Sequence, residues 1–102
     1  MSLSGEIKII SVLSNEKYLQ VYRIAEMSNL SISAVETYIK RLRRIRLLNA
    51  VKGPGGGIIL NKPLNQITLD EFLKDAPVNF FTKVLIKNLG TIDMETLIKR
   101  GF

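Results

Sequence analysis

The stretch VKGPGGGIIL, Val51 to Leu60, places four of the chain's seven glycines and a proline in five consecutive positions, between two short apolar runs. Glycine and proline at that density break any helix and force the chain to reverse tightly. The runs LLNAV before the loop and IIL after it read as two short strands, so the segment is predicted to be a β-hairpin. A phosphate cradle is the competing reading, and it fails on spacing. Gly53, Gly55, Gly56 and Gly57 do not fit G-x-G-x-x-G, because Ile58 holds the last position, and no G-K-[ST] follows. Glycines at a hairpin tip would instead expose backbone N–H groups and leave no side chain to block a close approach.

The segment preceding the hairpin gives that approach a purpose. From Ser31, SISAVETYIKRLRRIRLL places Val35, Ile39, Leu42 and Arg46 near one helical stripe, with Tyr38 and Ile45 beside it. Ser33, Thr37, Lys40 and Arg44 line the opposite side, flanked by Glu36 and Arg41. Ser31 or Ser33 can cap this helix, and Ser33 with Glu36 spells an S-x-x-E capping box. The shorter segment VYRIAEMSN precedes it, with Val21, Ile24, Ala25 and Ser28 expected inward, and ends on Asn29, a residue that tolerates the left-handed turn conformation. Helix, brief turn and second helix with a polar face make a helix-turn-helix, whose second helix is ordinarily the one that enters a DNA major groove. The hairpin that follows is then a wing.

Charge supports that assignment. Residues 1–52 carry nine Lys or Arg against four Glu, while residues 53–102 carry six against five acidic residues. The excess is concentrated in YIKRLRRIR, where Lys40, Arg41, Arg43, Arg44 and Arg46 fall close together. A basic run is more often a solvated helix face than a binding surface, so the decision falls to periodicity, which gives this helix one face to bury and another to offer.

Catalysis is disfavoured by what the chain lacks. It contains no histidine and no cysteine, which removes the usual general base, the usual transition-metal ligands and any disulfide or thiolate chemistry. Ser14 and Lys17 form an S-x-x-K match without the partner motifs that would support it. Asp70 and Glu71 sit in a first helical turn, where carboxylates favour the dipole. No apolar run approaches the roughly 20 residues of a membrane helix. MSLSGEIKII has neither the basic start nor the apolar stretch of a signal peptide, so a cytoplasmic protein is expected.

After the hairpin, Thr68 with Glu71 forms another capping box, and Pro77 is expected to end the helix it starts. NFFTKVLIKNLG then presents Phe80, Phe81, Val84, Leu85 and Leu89 as a broad apolar face, closed by Gly90 at a helix C′ position. A final helix runs from about Asp93 through Leu97 and Ile98.

Together, VKGPGGGIIL, the preceding ISAVETYIKRLRRIRLLNA and the following ITLDEFL resemble the winged-helix transcription regulators typified by IscR, NsrR and CymR, over roughly Ile24 to Leu73. That family runs an arginine-rich recognition helix into an R-G-P-G-G-G-Y wing and then an I-T-L helix start. The resemblance implies that Ser33, Glu36 and Thr37 read bases and that Lys52 stands where the family has a wing arginine. Lysine lacks the arginine fork, and Ile58 replaces the usual aromatic. It also implies a dimerisation helix carrying Phe80, Phe81, Val84 and Leu85, followed by a short closing helix. Many relatives hold an iron–sulfur cluster on three cysteines before that helix. Here only DAPVN spans the gap, so no metal and no cofactor are expected, and the signal is left to a regulatory protein, a small-molecule effector or abundance.

The expected molecule is mainly α with a small β-hairpin wing (α+β). Residues 1–75 form the winged helix-turn-helix and residues 76–102 the helical dimerisation segment. Its expected function is that of a sequence-specific transcription regulator that binds double-stranded DNA, a homodimeric repressor and not an enzyme. Lys40, Arg41, Arg44 and Lys52 would hold phosphates beside a bare tip at Gly55, Gly56 and Gly57. A winged-helix module docking an acidic protein partner is the alternative.

Overall fold

The computed structural model describes residues 3–75 and 79–100. The chain forms two compact units, Met1–Asn61 and Lys62–Phe102. They divide after Asn61, whereas the functional boundary drawn from sequence lies at 75/76.

The first unit runs α1 (Leu3–Ser14), α2 (Val21–Ser28), α3 (Ile32–Arg44) and the strands β1 (Leu48–Val51) and β2 (Gly57–Leu60). Its core is aliphatic: Ile9, Ile10, Leu13, Ile24, Val35, Leu42 and Leu47 are all at most 1% exposed. Each such burial contributes about 1.5–3 kcal/mol, and together these side chains hold α1 against both α2 and α3. The strands pair antiparallel with Leu48 opposite Leu60 and Val51 opposite Gly57. β2 is paired on its other edge as well. Leu19, between α1 and α2, donates to Ile58 O across 3.0 Å and accepts from Ile58 N across 2.7 Å. The hairpin is thereby fastened to the helices rather than projecting alone.

Two left-handed residues shape this unit. Asn29, with φ 56°, ends α2, and the Leu30 N–H reaches back to Ala25 O across 3.0 Å. The turn expected at Asn29 is therefore present. Arg46 has φ 66° and repeats the arrangement after α3, with Arg46 N donating to Arg43 O and Leu47 N to Leu42 O. This is a Schellman closure, and it takes Arg46 off the apolar stripe to which periodicity assigned it, because the helix ends at Arg44.

The second unit opens with a 3-10 turn at Leu64–Gln66, followed by α4 (Leu69–Phe72), α5 (Phe80–Leu89) and α6 (Met94–Lys99). Thr68, Asn79 and Asp93 cap the three helices through a hydroxyl, a carboxamide oxygen and a carboxylate, each accepting from a backbone N–H of the first turn. Leu69 N bonds to Ile92 O, Asp70 N to Gly90 O and Met94 N to Ile67 O, so the start of α4 is stitched to the loop before α6. Phe72, Ile67, Leu69 and Met94 fill the space beneath. Gly90 closes α5 in the right-handed region rather than in the left-handed one common at helix ends. Its φ is −57°, and glycine is required there by space, since a Cβ would lie 2.4 Å from Ile86 O. Pro77 lies outside the described residues.

Candidate nucleic-acid interface

α3 begins at Ile32 because Ser31 caps it, its hydroxyl accepting from Ala34 N across 3.1 Å. Of the two serines open from sequence, Ser31 does the capping. Ser33 and Glu36 lie within the helix and form no capping box, so both are released to the outer face. Val35, Ile39 and Leu42 bury the inner face.

Ser33, Glu36, Thr37 and Lys40 are exposed, and with Arg43 they line one open groove of about 430 Å³ that reaches Ile58 of β2. Thr37 donates its hydroxyl to Ser33 O across 3.0 Å, which leaves its oxygen lone pairs and its methyl for anything entering the groove. A second recess, of about 350 Å³, lies between Lys40, Arg43 and Arg44 on α3 and Leu48 and Asn49 on β1. The expected base-facing trio is thus gathered in one place, between the helix and the hairpin.

One expectation changes. Arg41, expected to hold phosphate, is 5% exposed and donates to the buried Glu6 of α1 across 2.6 Å. It is removed from the contact surface, because α1 covers the flank of α3 that the sequence left open. Arg43 takes its place as an exposed cation beside Lys40, lining both recesses. The signal for Arg43 was present in the spacing: it lies three residues after Lys40 and seven after Glu36, on the same helix face. Arg41, Arg43 and Arg44 also occupy the last turn of α3, where cations favour the helix dipole.

Lys52 is exposed at the hairpin tip. The glycines after it have reasons internal to the hairpin. Gly56 N donates to Gly53 O across 2.9 Å, and Gly55 has φ +75° after Pro54, which is a type II turn. A Cβ on Gly56 would lie 2.2 Å from Val51 O, and one on Gly57 would lie 2.6 Å from Leu19 O. Gly56 and Gly57 are half-buried and are demanded by the fold, while Gly55 is exposed at the turn.

On α5, Phe80 is 83% exposed and Val84 40%, and Leu85 is half-buried. The side chain of Phe81 lies outside the described residues. Ile86, 41% exposed, was not singled out from sequence.

Comparison with known proteins places this arrangement. The chain is 33% identical over 64 residues to the HTH-type transcriptional regulator IscR of Photorhabdus laumondii, a match covering 63% of this chain and 39% of that protein. It is 40% identical over 50 residues to IscR of Cronobacter sakazakii, covering 49% and 31% respectively. The chain therefore spans well under two thirds of the length of these relatives. Its fold is similar to that of T. potens IscR, with a TM-score of 0.73 at 22% identity over 100% of this chain and 88% of the other. B. subtilis CymR gives 0.73 at 20% identity, covering 100% and 98%. A family model described as "Rrf2: Iron-dependent Transcriptional regulator" matches residues 6–76, and the chain belongs to that Rrf2 family of winged-helix regulators.

Proposed function

We propose that this chain binds double-stranded DNA as a transcription regulator, with α3 in the major groove and the hairpin against the flanking backbone. The observation that carries the reading is the groove where Ser33, Glu36 and Thr37 lie beside Lys40 and Arg43, opening toward the wing. Polar side chains able to meet base edges are flanked by cations able to hold phosphates, which is the division of labour such an interface needs. A B-form major groove admits a helix, whereas the A-form major groove of RNA is too narrow. Family membership points the same way, toward regulation and away from catalysis. No helix among the described residues is long and apolar enough to cross a membrane, and we place the protein in the cytoplasm, with DNA.

The family description names iron, but the donors of this chain do not fit such a centre. It has neither cysteine nor histidine, and among the described residues no three carboxylates gather in one place. We infer a homodimeric repressor controlled without an iron–sulfur cluster.

The test is duplex binding as a function of salt. Lys40→Ala and Arg43→Ala should each weaken binding to unrelated duplexes alike and lower the slope of log K against log salt by about 0.9 per lost contact. Genomic fragments captured by the wild-type protein should share one site. Unchanged binding in both variants, with an acidic protein retained in place of DNA, would favour the protein-docking alternative.

A further inference from the structure

Tyr18 is not used by the helix-turn-helix, yet it sits at the wing. It lies in the segment between α1 and α2, 43% exposed, and the next residue, Leu19, is bonded on both sides of its peptide to Ile58 of β2. That pairing carries the ring to the hairpin tip, where the Tyr18 hydroxyl would lie 3.5 Å from a Cβ built on Gly55. Gly55 has no side chain to cover the phenol, and its φ of +75° keeps it glycine. The hydroxyl makes no hydrogen bond to a protein group among the described residues. Lys52, exposed, begins the same loop.

We propose that Tyr18 and Lys52 together form a two-part grip for one phosphodiester of the DNA backbone, the phenol donating a hydrogen bond and the ammonium supplying charge. This deepens the DNA-binding reading and rests on it. A neutral O–H donor and a fixed cation are distinguishable. The cation displaces a counterion from DNA when it binds, so its loss changes the salt dependence, whereas the loss of a phenol does not. The bare type II turn lets a phosphate reach the phenol from the Gly55 side. An aromatic side chain on a loop that precedes α2 thus becomes part of the wing's contact surface, although it is distant from the wing in sequence.

The experiment compares Tyr18→Phe, Lys52→Ala and wild type on two unrelated synthetic duplexes across a salt series, with thermal melts of each protein. Tyr18→Phe should lose about three- to tenfold in affinity on both duplexes, with the salt slope and melting temperature unchanged. Lys52→Ala should lose affinity and lower the slope by about 0.9. Wild-type affinity in Tyr18→Phe, with Lys52→Ala weakened, overturns the grip and leaves DNA binding standing. If Lys40→Ala and Arg43→Ala are also indistinguishable from wild type, the DNA reading itself fails, and the grip with it. A lower melting temperature in Tyr18→Phe with full affinity assigns the hydroxyl to stability and also overturns the proposal.

Discussion

Arg41 donates to Glu6 across 2.6 Å with the two side chains 6% and 0% exposed, so an ion pair sealed from water ties the last turn of α3 to α1. Close beside it, Gly5 admits the ring of Tyr38, since a Cβ there would lie 2.6 Å from the ring. One cation of the basic run is thus spent on holding the helix that carries the others.

Removing one partner should cost far more than the pair itself contributes, because it strands the other charge in an apolar place. Glu6→Ala or Arg41→Ala is expected to lose about 3–5 kcal/mol in denaturant unfolding. The double replacement Glu6→Leu with Arg41→Met should recover much of that loss. A single variant as stable as wild type would show that the pair is not buried in solution.

Glu36 can be separated from stability because Ser31, not the Ser33 and Glu36 pair, caps α3. Glu36→Ala should leave the melting temperature near that of wild type and relax preference at one base position per half-site by about 1–3 kcal/mol, through loss of a carboxylate acceptor for cytosine N4. Selection from random duplexes reads this directly, and recovery of the wild-type site by the variant would make the residue a bystander.

The bare wing tip behaves differently from what its composition suggests. Gly56→Val forces a side chain against Val51 O, where 2.2 Å is available to a Cβ, so it should destabilise the first unit by at least about 1–3 kcal/mol and lower DNA affinity with it. A variant that melts like wild type but fails to bind DNA would return Gly56 to the contact surface.

These cases show what periodicity and turn chemistry can reach. The hairpin, the turn at Asn29 and the groove-facing positions Ser33, Glu36 and Thr37 were all legible, because each depends on local spacing or on one residue's backbone preference. Arg41 was misplaced because its fate is decided by Glu6, 35 positions away in sequence. A helical wheel shows which residues share a face but not which flank another helix will cover. Gly56 and Gly57 stand out in the sequence as a bare tip, but spacing does not show that a side chain on either would meet Val51 or Leu19. Gly90 is legible as a helix terminator, and only the packing against Ile86 O shows that space is what matters there.

Acid should act on the second unit through its caps. A hydrogen bond from Lys62, helped by the Thr68 cap, holds the Glu71 carboxyl below its ordinary value of 4.5 despite partial desolvation. The Thr96 hydroxyl and N–H hold Asp93 below 3.8. Both groups are depressed in the folded state, so their stabilisation is present above the ordinary values and is lost as pH falls through the lowered ones. Melting temperature should therefore decline from about pH 4.5 downward, and Thr96→Val should make that decline shallower while lowering the neutral value. Equal acid limbs in the two proteins would remove Asp93 from the account.

Phe80 and Val84 lie four residues apart on α5, hence on one face, and both are exposed. An aromatic ring left 83% exposed beside a β-branched neighbour is an apolar surface without a partner within its own unit, the kind that usually marks an interface. One winged helix reads only a few base pairs, whereas a two-fold pair reads two half-sites whose spacing adds specificity. We therefore expect sedimentation at micromolar concentration to give a dimer mass. Phe80→Glu and Val84→Glu should each give folded monomers, because both side chains are already in contact with water and little core is disturbed. Those monomers should keep weak, salt-sensitive binding to any duplex through α3 and lose discrimination for the captured site. A wild-type monomer that binds an asymmetric site one to one would refute the dimer, and would leave Phe80 to some other partner.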